Sequence, residues 1–496
     1  MDKESDLDLM KKIQKDIFLL GWTRALLYWD LETYMPKNAS EERSEQLALL
    51  DSMIHEKATS QELFNVLERL KKENLDLDEN LIVERLYKEV LKAKKLPNEF
   101  VKELSRATSL GFSAWQEARE KNDFSIFKPH LEKIIELKKK QAKYINLPGH
   151  IYNSLLDDYE EGMTVEILKP QFDKLKKEVL NLLNDIKNSD DYKKQEVVLL
   201  NKNFPREDQI ELSKDVMERI GLKKESSRID FAEHPFTTRL GGNDVRITTN
   251  LREEPLFSFT STIHEAGHGL YELNLPREFL FTSINEAPGM GIHESQSRFW
   301  ENMIGKGKPF WKYYFKEFDR RFNLGNFEKW YKEINFLRNP MIRIESDEVN
   351  YPIHIILRFE IELGLIEEKI KVEDLPRIWN EKMKEYFDVV PKNDKEGVLQ
   401  DVHWSGGNIG YFPTYILGTA YASQIYNAMK KEILHIEKEI ENGDFSKISE
   451  WLKEKIHKHG RKFTSEDIIK KICGEGLNLD SYLDYLRKKY SEIYNI

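Results

Sequence analysis

Apolar positions in the first half of the chain recur three and four residues apart among lysines and glutamates. This spacing places the apolar side chains on one helix face, so residues 7–220 are predicted to be helical. Turns are predicted at residues 74–77, at Pro97 and at residues 145–150, where the chain reads INLPGH. No repeat of fixed period is visible in this half. The region carries no pattern typical of catalysis, so we interpret it as a helical wall or lid.

A segment near the middle of the chain changes from helical spacing to alternation. In NDVRIT, Val245 and Ile247 alternate with polar residues that include Asp244 and Arg246, which predicts a strand with one apolar and one polar face. The Gly-Gly-Asn run at residues 241–243 predicts a hairpin turn before this strand. The polar face has two interpretations, an edge that pairs with an extended peptide or an ordinary solvated strand.

The stretch FSFTSTIHEAGHGLYEL contains the pattern H-E-x-x-H in a helical context. Residues four apart on an α-helix are separated by about 400°, so His264 and His268 share one face, where both can bind one tetrahedral metal ion. Glu265 lies about 100° round the helix from His264 and can act on a water molecule at the metal without being a ligand. The pattern therefore predicts a metal site with Glu265 as the general base.

Two histidines leave such a site one protein ligand short, because catalytic zinc sites usually have three protein ligands and an open position. Glu294 is the predicted third ligand, on a second helix whose apolar positions would pack against the first. The 26 residues from His268 to Glu294 allow one helix to end, the chain to turn and another helix to begin. His293 is the competing donor, but neighbouring helical residues point about 100° apart, so only one of the two is expected to face the metal. We assign His293 to a supporting role.

The segment after these helices contains an arginine with two interpretations. Residues 309–336 are again helical and rich in aromatic residues. Arg343 and Asp347 are four residues apart and would form an ion pair on a helix. Alternatively, Arg343 is a fixed guanidinium that receives a carboxylate through two parallel hydrogen bonds. Pro352 is expected to kink or start the helix that follows.

A loop rich in glycine and aromatic residues interrupts the helical pattern at residues 397–418. His403, Tyr411 and Tyr415 lie in it and are candidate hydrogen-bond donors to an oxyanion. A packed aromatic loop is the alternative. Beyond residue 420 the chain returns to helices rich in lysine and glutamate.

Composition limits the class of protein further. The chain has 496 residues, 40% of them hydrophobic, enough to form a sizeable core in one large helical body or in about three average domains. Its 87 acidic and 77 basic residues give a net charge of −10, and no basic run alternates with stacking aromatics, so nucleic acid is not an expected partner. The single cysteine, Cys473, excludes an intrachain disulfide. A charged N-terminal stretch and the absence of a long apolar run predict a soluble cytoplasmic protein without membrane attachment.

Six motifs, in chain order, resemble those of the thermostable carboxypeptidase Taq family of metallocarboxypeptidases. They are HPF at residues 234–236, DVRIT at 244–248, HEAGH at 264–268, HESQ at 293–296, IRIESD at 342–347 and GVLQDVHW at 397–404. In the fifth motif the family has alanine where this chain has Ser346, while Arg343 and Asp347 are present. The N-terminal half resembles the family only in being helical.

The resemblance implies a mostly α-helical fold with a deep central groove and a small β-sheet beside the H-E-x-x-H helix, similar to neurolysin and angiotensin-converting enzyme. Residues 1–496 would form one metallocarboxypeptidase domain. Residues 1–220 would be its wall or lid, 228–420 its metal and substrate region, and 421–496 its C-terminal helices. The resemblance also implies a homodimer that releases single C-terminal amino acids from peptides with broad specificity. One divalent metal ion per chain, zinc or cobalt, is the implied cofactor.

The site residues that the resemblance implies match its motifs one by one. The metal ligands are His264, His268 and Glu294, the general acid/base is Glu265, the oxyanion donors are His403 and Tyr411, and the substrate-binding residues are Arg343, Arg246, Asp244 and His234. An oligopeptidase or dipeptidyl carboxypeptidase of the same metal class is one alternative, which product lengths would distinguish. A non-catalytic peptide-binding scaffold is another, although such a protein has no need of a base beside the metal.

Overall fold

The structure is a computed structural model that describes residues 3–232, 234–252, 254–338 and 340–496. The α-helices are α1 Lys3–Thr33, α2 Ser40–Ala58, α3 Gln61–Leu70, α4 Leu77–Lys94, α5 Asn98–Lys121, α6 Phe124–Ile145, α7 Asn153–Leu156, α8 Val165–Asn188, α9 Asp190–Lys193, α10 Arg206–Arg219, α11 Phe257–Leu273, α12 Met290–Arg298, α13 Lys308–Phe322, α14 Phe327–Ile334, α15 Tyr351–Ile366, α16 Leu375–Phe387, α17 Pro413–Glu432, α18 Ile436–Glu441, α19 Ser446–Lys455, α20 Ser465–Cys473 and α21 Asp480–Tyr494. The strands are β1 Ser227–Phe231, β2 Thr237–Gly241 and β3 Asp244–Thr249. Short 3₁₀ turns lie at Lys37–Ala39, Arg277–Phe279, Arg343–Glu345, Val372–Asp374 and His457–Lys462, and a π-helix lies at Phe299–Gly305. Among the described residues no helix is both long and apolar enough to cross a membrane.

Helix boundaries follow local sequence signals, and the three turns predicted in the first half are confirmed. α4 begins after Asp76, whose carboxylate accepts a 2.8 Å hydrogen bond from the Glu79 N–H while the Glu79 side chain returns to the Asp76 N–H. Pro97 directly precedes α5, and α6 ends at Asn146, which has the left-handed φ of 51° common at helix ends. Pro352 lies in the first turn of α15, so it starts this helix, where no N–H is needed.

The three strands form one small sheet with the order β1-β3-β2. β2 and β3 form an antiparallel hairpin whose turn falls at residues 242–243, and β1 pairs parallel with β3. Val245 and Ile247 are fully buried, as their alternation predicts. The interpretation of β3 as an edge that pairs with a peptide is wrong, because the backbone of β3 is already paired on both sides.

The polar face of this sheet is covered by α1. Trp29 of α1 is buried, and the guanidinium of Arg246 lies 4.6 Å from its ring centroid. The Tyr34 hydroxyl, just beyond α1, donates a 2.6 Å hydrogen bond to Asp230 on β1. The helical first half of the chain therefore supports the strands that precede α11, the helix with the two predicted histidine ligands.

In the described part of the chain, most buried apolar side chains belong to two clusters. The larger extends along the chain from Ala114 to Tyr494 and includes residues of α11, α12 and α17. The smaller joins α1, α3 and α4 with Phe279 and Ile284, which belong to the loop between α11 and α12. These three N-terminal helices therefore hold the connection between the two helices that carry the predicted metal ligands.

The helices α11 and α12 are in backbone contact at Gly267. A Cβ atom at this position would lie 2.6 Å from the carbonyl oxygen of Gln296 and 2.8 Å from the Cα of Ser297. α17 approaches α12 in the same way, since a Cβ at Gly418 would lie 2.6 Å from the Cβ of Glu294. Glycine at these two positions lets three helices meet around Glu294.

A buried carboxyl group from the first half caps the N-terminus of α12. Glu160 accepts a 2.7 Å hydrogen bond from the Gly291 N–H, and the Met290 N–H donates to the Tyr159 carbonyl at 2.8 Å. A helix N-terminus favours a negative charge. Burial nevertheless raises the pKa of Glu160 to about 7, so a large fraction of this group is protonated at neutral pH.

We expect the free energy of unfolding to decrease less with rising pH in Glu160→Gln than in the parent protein. A carboxyl whose pKa is higher in the folded chain stabilises the fold below its unfolded pKa of 4.5, and this contribution is lost as the pH rises through about 7. In the parent protein, Glu160 should therefore lower the free energy of unfolding by up to about 3 kcal/mol between about pH 5 and pH 8. This decrease should be absent from Glu160→Gln, because glutamine does not titrate. Denaturant unfolding at both pH values measures it, with exposed Glu73→Gln as control. A variant with the parent's pH dependence would contradict this account.

Candidate active site

Three side chains from two helices converge with the spacing of a metal site. His264 and His268 lie one turn apart on α11, and Glu294 lies on α12. Glu294 Oε2 is 3.3 Å from His268 Nε2 and 3.7 Å from His264 Nε2, and the three donor atoms all lie within 4.8 Å of one another. Ligand atoms about 2.0–2.1 Å from a tetrahedral zinc ion are about 3.3 Å apart. The three residues therefore fit one divalent ion.

Groups behind the donors hold two of them in the ligating orientation. His264 Nδ1 lies 2.8 Å from Glu301 Oε2, which fixes the ring proton on Nδ1 and leaves Nε2 to face Glu294. Arg298 Nε donates a 2.7 Å hydrogen bond to Glu294 Oε1, and Ser297 Oγ donates a 3.1 Å hydrogen bond to Oε2, whose other lone pair remains for the ion. A carboxylate behind a ligating histidine is a recurrent feature of metal sites, and it supports the fit of this site to a metal ion.

Arg298 and Glu301 are not predicted by the H-E-x-x-H motif or its third ligand. They lie four and seven residues after Glu294, in the sequence ESQSRFWE. This spacing places the three residues on one helix face, so it could have predicted that Arg298 and Glu301 lie near Glu294. The π-helix Phe299–Gly305 begins between them and carries Glu301. Such π-helical segments are frequent at functional sites.

The charges around the three donors favour a positive charge between them. Burial acts to lower the pKa of His264, but Glu294 and Glu301 outweigh it and raise this pKa. Burial lowers the pKa of His268 to about 4. Burial also acts to raise the pKa of Glu294, but Arg298 and His264 hold it well below its usual range. At neutral pH, His268 is therefore neutral and Glu294 is ionised, which are the states that bind metals.

Glu265 lies beside the donors on the wall of a cavity. Its Oε2 accepts a 2.6 Å hydrogen bond from Thr237 Oγ1, which also lies 3.0 Å from the Glu265 carbonyl oxygen. Burial raises the pKa of Glu265, although His264 and Thr237 oppose this effect. A fixed carboxylate with a raised pKa suits a general base. Thr237 directly follows the HPF motif, and only the position of β2 against α11 brings it to Glu265.

A cavity of about 660 Å³ opens beside these residues, within the size range of about 300–1,000 Å³ that is common for ligand sites. His264 and Glu265 contribute to its lining, together with Arg343 and His403. His234 also lines it and is exposed. The structure thus brings five of the predicted site residues to one cavity.

Arg343 has only 6% of its surface exposed and lines the cavity from the 3₁₀ turn Arg343–Glu345. Its Nη2 and Nε donate to Asp401 Oδ1 at 2.8 and 3.1 Å, and its Nη1 donates to the Tyr351 hydroxyl at 3.1 Å. The alternative of an i,i+4 ion pair with Asp347 is wrong, because a single 3₁₀ turn followed by extended backbone replaces the α-helix that this pair requires.

Asp401 is shared between two arginines. The buried Arg358 donates from Nε to Asp401 Oδ2 at 2.6 Å. Gln400 Oε1 accepts from Arg358 Nη2 at 2.8 Å and from the Arg343 N–H at 3.0 Å. Two guanidinium groups and one carboxylate leave one positive charge uncompensated, and Arg343 is the arginine of this pair that lines the cavity.

His403 and Tyr415 form a hydrogen-bonded pair on the cavity wall. His403 Nε2 lies 3.2 Å from the Tyr415 hydroxyl, and both residues line the cavity. Burial lowers the pKa of His403 to about 3, so its imidazole is neutral. Tyr411 packs against Tyr415 with ring centroids 5.4 Å apart, and it is absent from the described residues that line the cavity. Tyr415 therefore lines the cavity, while burial and the nearby Glu294 raise the pKa of Tyr411 to about 12.

Arg246 and Asp244 lie outside this cavity as the described part of the chain defines it. Arg246 Nε and Nη2 donate to the two carboxylate oxygens of Asp244 at 3.1 and 3.0 Å. With Trp29 against the guanidinium, the pair joins β3 to α1. Any contact of these two residues with substrate has to involve a part of the substrate outside the cavity.

His293 is directed away from the three donors. Its Nε2 lies 2.8 Å from Glu272 Oε1, and its ring packs on His268 with centroids 4.5 Å apart. Glu272 Oε2 lies 3.6 Å from Arg239 Nη1, so a charged chain holds the imidazole in place. This position agrees with the supporting role predicted for His293.

Metal-dependent peptidases with the H-E-x-x-H motif can combine a helix with two histidine ligands, a carboxylate ligand from a second helix and a base beside the substrate cavity. By fold and site the protein is thus a helical metallopeptidase. The chain belongs to the carboxypeptidase Taq (M32) family of metallopeptidases, whose family model matches residues 9–490.

Relatives are similar to this chain over its whole length. Carboxypeptidase 1 of Bacillus subtilis is 39% identical over 494 residues, which are 98% of this chain and 97% of the relative. Thermostable carboxypeptidase 1 of Pyrococcus furiosus is 38% identical over 491 residues and 96% of both chains. The crystal structure of M32 carboxypeptidase from Deinococcus radiodurans R1 matches with a TM-score of 0.96 at 33% identity, covering 99% of this chain and 100% of that one. The family resemblance is confirmed, and the protein is a metal-dependent carboxypeptidase.

Proposed function

We propose that this carboxypeptidase releases single C-terminal amino acids from peptides of varied sequence, and that Arg343 binds the terminal carboxylate of the substrate. The observation that supports this is the uncompensated positive charge that Arg343, Arg358 and Asp401 leave at the wall of the same cavity that Glu265 lines. Asp401 and Tyr351 fix the guanidinium, so little conformational entropy is lost when it receives a carboxylate bidentately.

The reaction we propose is hydrolysis of the last peptide bond. A divalent ion held by His264, His268 and Glu294 would supply Lewis-acid polarisation of the scissile carbonyl and activation of water. Glu265 accepts a proton from the attacking water and later donates it to the leaving amine. The hydrogen bond from Thr237 keeps its carboxylate oriented during both transfers.

The developing oxyanion needs a hydrogen-bond donor, and we propose His403 and Tyr415 for this role. They lie together on the cavity wall, where the Nε2 atom of the neutral His403 ring is 3.2 Å from the Tyr415 hydroxyl. A donor of this kind contributes about 3 kcal/mol to transition-state stabilisation. Tyr411 is proposed to act with them by packing against Tyr415.

For the remaining predicted residues we propose roles outside the reacting bond. His234 is exposed at the cavity and is available to the part of the peptide that precedes the cleaved residue. Arg246 and Asp244 would act on substrate through the position of the β2–β3 hairpin, whose Thr237 holds Glu265.

A defined decapeptide, prepared with a free C-terminal carboxylate and with a C-terminal amide, tests this function. We expect the enzyme to release single residues from the free peptide and to cleave the amide poorly. Arg343→Ala should lower kcat/KM for the free peptide by about 10²–10³-fold, mainly through KM, and remove the preference over the amide, because a buried charged contact contributes about 2–5 kcal/mol. Arg338→Ala is the matched control, since Arg338 lines the same cavity but is paired with Glu254.

The products also separate the alternatives. Dipeptides or internal cuts would favour a dipeptidyl carboxypeptidase or an oligopeptidase over single-residue release. An unchanged preference for the free carboxylate in Arg343→Ala would exclude Arg343 as its receptor.

Zinc or cobalt is the ion we propose, because two imidazoles and one carboxylate suit these borderline-soft ions better than magnesium or calcium. The family resemblance supports further proposals: one catalytic domain over residues 1–496, a homodimer, a cytoplasmic location and a groove similar to that of neurolysin and angiotensin-converting enzyme. Metal analysis and sedimentation velocity of the purified protein measure the bound ion and the oligomeric state.

A further inference from the structure

The loop between His403 and Tyr411 is held at both ends by one buried carboxylate. Glu362 lies on α15 and is fully buried, with 0% of its surface exposed. Its Oε1 accepts a 2.8 Å hydrogen bond from Trp404 Nε1, and its Oε2 accepts a 2.9 Å hydrogen bond from the Gly410 N–H. Trp404 directly follows His403, and Gly410 directly precedes Tyr411. A single side chain therefore fixes the two points from which these residues extend.

The far side of the loop is closed by the first half of the chain. Gly410 has a φ of +98°, and a Cβ there would lie 2.8 Å from the carbonyl oxygen of Leu155. The Tyr152 hydroxyl donates to the same oxygen of Glu362 that binds Gly410, and this buried tyrosine lies beside the Gly410 N–H. Gly410 thus lies between a fixed backbone and a carboxylate whose rotation three donors prevent.

Within the loop, hydrogen bonds connect loop residues mainly to one another. The Asn408 N–H donates to the His403 carbonyl at 3.0 Å, and the Gly407 N–H donates to the Trp404 carbonyl at 3.1 Å. A longer contact of 3.4 Å joins the Asn408 side chain to the Tyr159 hydroxyl. These bonds preserve the shape of the loop. Its attachment to α15 rests on the two bonds to Glu362 and, just before His403, on the bonds of Arg358 to Gln400 and Asp401.

We propose that Glu362 is a positioning residue for peptide hydrolysis, which holds His403 and the start of α17, with Tyr415, against the substrate cavity. The proposal rests on the oxyanion role proposed above for His403 and Tyr415. Glu362 is absent from the described residues that line the cavity, so it acts only through the loop. Misplacement of a catalytic group by about 1 Å lowers the rate about 100-fold. A small shift of the loop after loss of the Glu362 hydrogen bonds would therefore slow hydrolysis.

Glu362→Gln tests the proposal with little change in volume. The amide keeps one oxygen, but its NH₂ must face either the Trp404 N–H or the Gly410 N–H, and two donors cannot bond, so one end of the loop is released. We expect kcat to fall by about 10–100-fold while KM and metal content stay at the parent values, since Arg343 and the metal donors are not attached to the loop by these bonds. A fall in kcat that is matched by an equal rise in KM or by metal loss would overturn the proposal.

Tyr152→Phe is the matched control, because it removes the third hydrogen bond of Glu362 and leaves both loop bonds in place. It should keep the parent kcat even if its melting temperature falls as far as that of Glu362→Gln. Equal losses of kcat in the two variants would show a general effect on folding and overturn the proposal. If Glu362→Gln does not fold, Trp404→Phe removes only the Oε1 bond and is expected to lower kcat without changing KM.

His403→Ala separates the positioning proposal from the proposed function. If His403→Ala lowers kcat and Glu362→Gln does not, Glu362 has no positioning role while the function of the loop stands. If His403→Ala keeps the parent kcat, the oxyanion role itself is wrong, and the positioning proposal is overturned with it. Faster amide exchange at residues 403–411 in Glu362→Gln, but not in Tyr152→Phe, would support the proposal independently of catalysis.

Discussion

Replacement of Glu265 by glutamine is expected to lower kcat by about 10²–10⁴-fold, the usual contribution of a positioned general acid/base. The amide has nearly the same shape and still accepts the hydrogen bond from Thr237, so the cavity should be preserved. It cannot take a proton from water, and hydrolysis of an N-blocked dipeptide in the presence of zinc or cobalt measures the loss. Metal content should not change, because Glu265 is not among the three donors.

Glu278→Gln provides the control for this experiment. Glu278 is an exposed carboxylate on the 3₁₀ turn after α11, so its replacement removes one negative charge without touching the cavity. Parent activity in Glu278→Gln together with parent activity in Glu265→Gln would show that the general base lies elsewhere.

Removal of the metal ion is expected to abolish hydrolysis and to lower the thermal stability of the protein. An ion that binds only the folded chain stabilises it by about 4 kcal/mol at a concentration 1,000-fold above its Kd. His264, His268 and Glu294 come from two helices and form one site only in the folded state, so they meet this condition. Dialysis against a chelator, followed by addition of zinc or cobalt, allows activity and melting temperature to be followed together.

Two variants make this test specific to the site. Glu294→Gln should remove the increase in melting temperature on metal addition, because a neutral amide oxygen is a weak ligand. Glu301→Gln should lower metal affinity by about 10–100-fold, since it weakens the group that orients His264 and also contacts Arg298 behind Glu294. A melting temperature that is independent of metal in the parent protein would contradict the assignment of the three donors.

The metal site was predictable because its geometry is local. The spacing of His264 and His268 determines a shared helix face, and Glu294 follows in a second helix after one turn of the chain. The helical pattern of the first half and the turns within it are local in the same sense. Each of these features depends on residues within a few positions of one another, so it can be predicted from the order of residues in the sequence.

The residues that sequence reasoning did not reach are brought together by tertiary packing. Thr237 contacts Glu265 because β2 lies beside α11, and Arg358 shares Asp401 with Arg343 although 43 residues separate Arg358 from Asp401. The central position of β3 likewise depends on β1 returning parallel to it, which no alternation within β3 indicates. Contacts of this kind follow from the fold as a whole.

The backbone contact at Gly267 has a consequence for how the site responds to change. The distance between the imidazole and carboxylate ligands is limited by peptide atoms of α11 and α12, which cannot change rotamer, and not by the apolar side chains around them. Substitutions in the surrounding core can therefore weaken or strengthen the fold without altering the size of the ion that the site accepts. Thermal stability and ion selectivity are, in this architecture, properties that can vary independently of each other.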